Sequence, residues 1–164
     1  MKNGPVPAQS YQPRTAALAY DAFDYAPGPW SSPLRDAVLE RDGSTAEAGA
    51  GSLKIGAASA SSRLTAARSV SLWDLREYAN VRFAYRIPKG LPVGLWCQTS
   101  FGDWVALVPL LADDGEWHAL TVDVAAVMRN VLPGVQRLTA VQFASPRDVG
   151  AGQRFWIDEF AVTH

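Results

Sequence analysis

The chain has 164 residues, of which 48% are hydrophobic and 19% are charged, and its formal net charge is −1. These values are ordinary for one folded domain with a sizeable core, and the near-neutral charge gives no general attraction to nucleic acid or anionic membranes. No apolar run approaches the length that crosses a bilayer, so we expect no membrane span. The lone cysteine, Cys97, rules out an internal disulfide framework.

The first fifteen residues are rich in proline, glutamine, serine and glycine. They predict a flexible tail or linker over residues 1–15, followed by one domain over residues 16–164. This segment lacks the apolar core of a secretory signal. The chain is therefore expected to be either cytoplasmic or the mature or excised part of a longer protein.

Short β-favouring runs separated by Gly, Pro, Ser and Asp fill the rest of the chain. We predict ten strands, which are Leu18–Phe23, Ala37–Arg41, Ser52–Ala57, Arg63–Ser69, Asn80–Ile87, Val93–Thr99, Trp104–Leu110, Trp117–Val122, Leu138–Ala144 and Arg154–Val162. Only Val124–Asn130 favours a helix, and it is too short to form a layer. The pattern predicts an all-β fold with almost no helix, an antiparallel two-sheet β-sandwich or jelly roll.

The stretch "GLWCQTSFGDWVAL", residues 94–107, predicts a β-hairpin that carries two tryptophans. With a three-residue loop at 100–102, Gly102 takes the left-handed position, Gln98 lies opposite Trp104, and Trp96 lies opposite Ala106. A two-residue loop would instead place Trp104 on the face of the aliphatic residues. We favour the first register because it gives a fully aliphatic core face, made by Leu95, Cys97, Val105 and Leu107.

The other face of this hairpin is a candidate binding surface for a sugar. An indole offers a flat apolar platform to the C–H face of a pyranose, and Arg and Gln offer directional hydrogen bonds. The candidate ligand-binding residues, chosen because they fall on the non-core side of their strands or in a nearby loop, are Trp96, Trp104, Gln98, Arg82, Arg86, Gln142 and Trp30. The alternative is that loops cover these aromatic residues and that they only pack.

The order of motifs along residues 17–163 points to a known family. The motifs are "AYDAFDY", "GPW", "EAGAGSLKI", "VSLWDLREYANVRFAYRIPKG", "GEWHALTVDV", "LTAVQF" and "RFWIDEF". In this order they resemble the β-jelly-roll carbohydrate-binding modules of the galactose-binding-like fold. The resemblance implies a polysaccharide or oligosaccharide ligand, an extracellular or cell-surface location, and an attached or associated carbohydrate-active enzyme.

The resemblance also implies a structural calcium ion, because many such modules tie the first strand to the last through one. Calcium takes six to eight oxygen ligands from carboxylates and backbone carbonyls. The positions that match are Asp21, Asp24, Glu47, Gly49, Ser52 and Asp158. The alternative is that Asp21 and Asp158 are surface carboxylates beside a strand end.

The sequence contains no coherent set of catalytic groups. Its two histidines are His118, within a predicted strand, and the C-terminal His164, and neither is placed to activate Cys97. No motif singles out a pair of acid/base carboxylates, a phosphate-binding loop or a zinc site, and scattered basic residues argue against nucleic-acid binding. We expect a non-catalytic module. The alternatives are a structural or protein-interaction β-sandwich with no sugar ligand and, third, a jelly-roll lyase or hydrolase.

Overall fold

Ten strands and one short helix make up the computed structural model, which describes residues 17–59, 63–146 and 148–164. The predicted tail, residues 1–15, lies outside the described residues. The strands are β1 (Ala19–Asp21), β2 (Ala37–Asp42), β3 (Ser52–Ala57), β4 (Thr65–Asp74), β5 (Asn80–Arg86), β6 (Gly94–Thr99), β7 (Trp104–Val108), β8 (Trp117–Asp123), β9 (Arg137–Ala144) and β10 (Arg154–Thr163), and the helix is α1 (Val124–Val131). The predicted all-β class is confirmed.

The strands form two antiparallel sheets. The six-stranded sheet has the order β2-β3-β10-β5-β8, and β1 pairs with the second half of β10. The four-stranded sheet has the order β4-β9-β6-β7. The two sheets pack face to face as a β-sandwich, so each strand turns one side chain in two toward a shared core.

Strand β4 runs five residues beyond the predicted end at Ser69. Its pairing with β9 shifts between Ser69 and Trp73, and Leu72 in this irregularity has a φ of +59° and an exposed side chain. The bulge shifts the alternation of side chains along β4, so that Trp73 points into the core, where it is buried. The sequence pattern missed this extension because a bulge breaks the alternation on which the prediction depends.

Aromatic side chains from both sheets meet at the centre of the core. Trp30, in the loop before β2, packs edge-on against Phe160 of β10 with ring centroids 5.0 Å apart. It also lies 5.8 Å from Phe143 of β9, which in turn packs against Phe83 of β5 at 5.1 Å. Trp30 thus fills part of the space between the two sheets.

The loop between β2 and β3, residues 43–51, folds back over the outer face of the six-stranded sheet. The backbone N–H groups of Glu47 and Ala48 donate to Oδ2 of Asp158 in β10, at 3.0 and 3.1 Å. Thr45 Oγ1 accepts from the indole of Trp117 in β8 at 3.1 Å. The loop therefore covers part of that sheet, and Asp158 is buried beneath it.

Helix α1 follows β8 and packs against the end of the core. Asp123 caps its N-terminus by accepting from the N–H of Ala126, and Val124 and Met128 are its buried residues. The Met128 sulfur lies 4.0 Å from Cys97 Sγ. No helix in the described part of the chain is long and apolar enough to cross a membrane.

Candidate functional site

The hairpin of β6 and β7 has the register that the aliphatic pattern predicts. Gln98 pairs with Trp104 and Trp96 pairs with Ala106. The N–H of Thr99 donates to the carbonyl of Asp103 at 2.8 Å, which closes the three-residue loop, and Gly102 has a φ of +95°. The left-handed glycine is what a loop of this length needs, so the two indoles fall on the face away from the core.

This outer face of the four-stranded sheet carries two tryptophans over a floor of small residues. Trp96 is half-buried and Trp104 is 41% exposed. Gln142 of β9 lies beside Trp96, and Ala67 of β4 lies beside Gln142. The row Ala67–Gln142–Trp96–Ala106 therefore has large side chains at its centre and small ones at both ends, which leaves room above the sheet.

A groove of about 210 Å³ occupies this room at one end of the sheet. Its lining combines two indoles, aliphatic walls and a few polar groups: Leu34, Arg63, Thr65, Trp96, Trp104, Gln142, Ala144, Ser145 and Pro146. Leu34 and Pro146 come from loops that rise beside the sheet. No aspartate, glutamate, histidine or cysteine is among the described residues that line it.

The indole N–H groups divide the six tryptophans into two classes. Four donate to the protein: Trp30 to Asp21, Trp73 to the carbonyl of Tyr78, Trp117 to Thr45 and Trp156 to Asp42. Trp96 and Trp104 donate to no acceptor in the described part of the chain. The two indoles that line the groove are thus the two whose N–H groups remain available to a ligand.

Two further polar side chains in the groove, Gln142 and Arg63, have hydrogen-bonding groups that remain unused within the described residues. The Gln142 amide bonds to none of the residues that the structure describes, although it is half-buried beside Trp96. Arg63 donates from Nη2 to the carbonyl of Pro146 at 3.1 Å, which uses one of the five N–H groups of its guanidinium. The groove therefore offers both an acceptor and several donors next to its apolar surfaces.

Gln98 stabilises the hairpin rather than lining the groove. Its amide nitrogen donates to the carbonyl of Gly102 at 3.3 Å, and its amide oxygen accepts from the hydroxyl of Thr139 at 3.4 Å. These bonds hold the loop in the conformation that directs Trp104 outward.

The structure does not bring Arg82 and Arg86 to the tryptophans. Both lie on β5, which belongs to the six-stranded sheet, and they project from the opposite side of the sandwich. The prediction that they share a surface with Trp96 is wrong because alternation along a strand gives the face of a side chain but not the sheet it belongs to.

The structure does not place the predicted ligand-binding residue Trp30 at the groove either. Its side chain is buried among Phe23, Phe143 and Phe160, and its N–H is bonded to Asp21 at 2.8 Å. A loop rich in proline and glycine suggested exposure, but the loop turns its one large apolar side chain into the core because burial of an indole is strongly favourable.

Sequence reasoning missed the groove residues Leu34, Arg63, Thr65, Ala144 and Pro146. They come from a loop before β2, the ends of β4 and β9, and the segment after β9. Only the pairing of β4 with β9 and of β9 with β6 makes them neighbours. The one available signal was Arg63, a basic residue at the start of the predicted strand Arg63–Ser69.

The residues that the resemblance connects with calcium fall into two separate clusters. Asp21 lies between the two sheets, where Arg68 Nε donates to its Oδ2 at 2.6 Å and the Trp30 indole donates at 2.8 Å. Asp24, Glu47, Gly49, Ser52 and Asp158 lie around the loop over residues 43–51. Asp21 therefore lies apart from the other five residues and bonds to Arg68 and Trp30 instead.

Backbone amides donate to two of the three carboxylates of the second cluster, Asp158 and Asp24. Asp158 accepts from three backbone N–H groups, with the third, from Glu159, reaching Oδ1 at 2.8 Å. Burial raises the pKa of Asp158, and the three amides act in the opposite direction. Asp24 Oδ1 likewise accepts from the N–H of Ala50 at 2.8 Å.

This arrangement does not fit a calcium ion, which needs six to eight oxygen atoms converging on one point. Here N–H donors point at the carboxylates instead. Within residues 17–59, 63–146 and 148–164, no group of three or more His, Cys, Asp or Glu side chains is placed to share a metal ion. The described residues thus do not form the calcium site that the resemblance implies, and calcium binding itself stays a prediction.

Comparison with known proteins gives matches in structure only. No family model and no curated protein sequence matches the chain. The chain is similar to the CBM22-1 xylan-binding domain of Paenibacillus barcinonensis Xyn10C, with a TM-score of 0.66 and 12% identity over 91% of this chain and 94% of that domain.

Two further structures extend the likeness. The C-terminal family 22 carbohydrate-binding module of Clostridium thermocellum Xyn10B has a TM-score of 0.60 and 15% identity, covering 91% of this chain and 96% of that one. A CBM29-2 variant from family 29 has a TM-score of 0.56 and 12% identity, covering 88% and 91%. At such low identities the likeness concerns the fold, and the chain therefore has the β-jelly-roll fold that these carbohydrate-binding modules share.

Proposed function

We propose that the protein is a non-catalytic carbohydrate-binding module that holds a neutral polysaccharide such as xylan in the groove beside Trp96 and Trp104. The observation that carries this proposal is that these two indoles, alone among the six, have N–H groups without an acceptor in the described residues. An indole that only packs in a core finds a partner for its N–H, as the buried Trp30 and Trp73 do.

The chemistry of the groove suits a sugar. A pyranose presents an apolar C–H face and a rim of hydroxyl groups that both donate and accept hydrogen bonds. Trp96 and Trp104 provide the apolar surface, and Gln142 and Arg63 provide polar groups beside it. Because the tryptophans project from paired strands, little conformational freedom is lost when a ligand binds.

Xylan is the first polysaccharide to test, because xylan-binding domains are among the structures of similar fold. The absence of carboxylates from the described lining of the groove argues against glycoside hydrolysis there, which normally uses a pair of acidic residues. We propose that the module acts by keeping an attached or associated carbohydrate-active enzyme close to its substrate, outside the cell, by raising effective concentration.

Tryptophan fluorescence tests the proposal. Titration with xylan, a β-glucan and a mannan should change the emission for at least one polymer, and both Trp96→Ala and Trp104→Ala should abolish that change. The control is Phe101→Ala, because Phe101 is 83% exposed at the tip of the same hairpin and lies outside the groove.

Other outcomes separate the alternatives. A flat response over the whole panel, with a dimer that dissociates in Trp96→Ala and Trp104→Ala, would indicate a protein-interaction surface instead. Release of reducing ends from any of the polymers would indicate an enzyme.

A further inference from the structure

We infer that the six-stranded sheet carries a second ligand site, centred on Trp156, for the carboxylate-bearing sugar residues of an acidic polysaccharide. This site lies on the opposite side of the sandwich from Trp96 and Trp104, and its existence does not depend on the function proposed for them.

The site is a groove that the loop over residues 43–51 leaves uncovered. It has a volume of about 360 Å³, and its lining is Arg86, Pro88, Gly115, Gly152, Gln153, Arg154 and Trp156. A volume of this size falls within the roughly 300–1,000 Å³ that small-molecule sites occupy. No acidic side chain is among these described lining residues.

Two guanidinium groups lie over the ring of Trp156. The Cζ atom of Arg86, directly across from Trp156 on β5, is 5.5 Å from the ring centroid, and that of Arg154 is 5.8 Å from it. The Trp156 N–H donates to Asp42 at 2.9 Å, which fixes the orientation of the ring. The indole of Trp156 and the two guanidinium groups over it are thus held together before any ligand arrives.

Neither of these arginines forms an ion pair within the part of the chain that the structure describes. Arg86 Nε donates to the carbonyl of Gly115 at 2.8 Å and Nη1 to the hydroxyl of Thr45 at 3.2 Å, and both acceptors are neutral. Arg86 is half-buried. A partly desolvated cation without a counter-charge is costly, so an anion that reaches the groove gains more than it would at an exposed arginine.

Two acidic side chains of β2 lie beside the groove and bond to other groups. Asp42 accepts from Ser44 and from the Trp156 indole, and Glu40 pairs with Lys54 at 2.8 Å. Neither of them pairs with Arg86 or Arg154. The overall charge of −1 disfavours indiscriminate polyanion binding, so recognition of an acidic chain requires a local site of this kind.

A uronic acid residue combines the two features that the groove would recognise. Its pyranose ring can rest on an indole, and its carboxylate can accept two parallel hydrogen bonds from a guanidinium. A simple anion such as phosphate would use only the second feature.

Calorimetric titration with tri-galacturonate and with its methyl ester tests the inference. We expect the acid to bind and the ester to bind at least about tenfold more weakly. Arg154→Ala should weaken binding of the acid by at least about tenfold, whereas Arg82→Ala should change it by less than about twofold. Arg82 is the matched control because it is an exposed arginine on the same sheet but outside the groove.

Other variants and ligands locate the site. Trp96→Ala should leave binding of the acid unchanged, and inorganic phosphate should not compete with it at equal concentration. Any one of five results would overturn the inference. Two concern affinity for the acid: absence of binding by the wild-type protein, and equal losses in Arg154→Ala and Arg82→Ala. The others are equal binding of acid and ester, full competition by phosphate, and loss of binding in Trp96→Ala. Parallel titrations with neutral xylan report separately on the groove at Trp96.

Discussion

Asp21 of β1 and Arg68 of β4 form an ion pair that joins the two sheets, with Arg68 Nε 2.6 Å from Asp21 Oδ2. Both side chains are largely buried, with 8% of Asp21 and 15% of Arg68 exposed. The carboxylate also accepts from the Trp30 indole, so one acidic group holds β1, the aromatic centre of the core and the four-stranded sheet together.

We predict that Arg68→Met lowers the free energy of unfolding by roughly 1.5–3 kcal/mol, because it leaves a buried carboxylate without its charged partner. Urea unfolding measures this loss. The double variant Asp21→Asn, Arg68→Met should recover part of it, since the uncompensated charge is gone.

The matched control is Arg76→Met. Arg76 also pairs with an aspartate at 2.6 Å, but its side chain is 63% exposed, and exposed pairs contribute only about 0–1 kcal/mol. Equal effects of Arg68→Met and Arg76→Met would show that the Asp21–Arg68 pair does not hold the sheets together.

Asp42 gives the fold an acid-sensitive contact beneath Trp156. Hydrogen bonds from Ser44, together with that from the Trp156 indole, lower the pKa of Asp42 from 3.8 to about 2. Because its pKa is lower in the folded state, the contribution of Asp42 to stability is present above pH 3.8 and is lost as the pH falls toward 2.

Asp42→Asn should therefore be less stable than the wild type at pH 6, and the difference in melting temperature should narrow between pH 4 and about pH 2. Asp103→Asn is the control, because it removes the same charge from an exposed position at the hairpin turn. A difference between Asp42→Asn and the wild type that stays constant down to pH 2 would contradict this account.

The sequence predicted the strands and the hairpin register well because both depend on local rules. Alternation places Leu95 and Cys97 on one face, and a glycine in the left-handed conformation at 102 fixes the loop. Alternation along a strand cannot show which strands share a sheet, and Arg86 of β5 therefore lies on the opposite side of the sandwich from the predicted surface.

The positions of loops were harder still to predict. Trp30 turns inward and Leu34 rises beside the groove, although both belong to the same segment rich in proline and serine. The partners of Asp158 are backbone N–H groups, which no side-chain pattern reveals. Composition gives the kind of residue in a loop, but long-range packing decides which way each one points.

We expect calcium chelation to leave the melting temperature unchanged. The oxygens of Asp158 and Asp24 already accept amide N–H groups, Asp21 is paired with Arg68, and no group of three or more His, Cys, Asp or Glu side chains converges within the described residues. Thermal melts with EDTA and with added CaCl₂ measure this directly. A fall of several degrees in EDTA that calcium reverses would show that the loop over residues 43–51 rearranges around a bound ion.

The indole N–H resonances of the six tryptophans test the proposed sugar site most directly. Nitrogen-15-labelled protein is titrated with soluble neutral xylan, and each indole peak is assigned by a single Trp→Phe substitution. We expect the Trp96 and Trp104 peaks to shift on saturation, while those of Trp30, Trp73, Trp117 and Trp156, already bonded within the protein, stay in place. Shifts at Trp117 or Trp156 with none at Trp96 and Trp104 would contradict it.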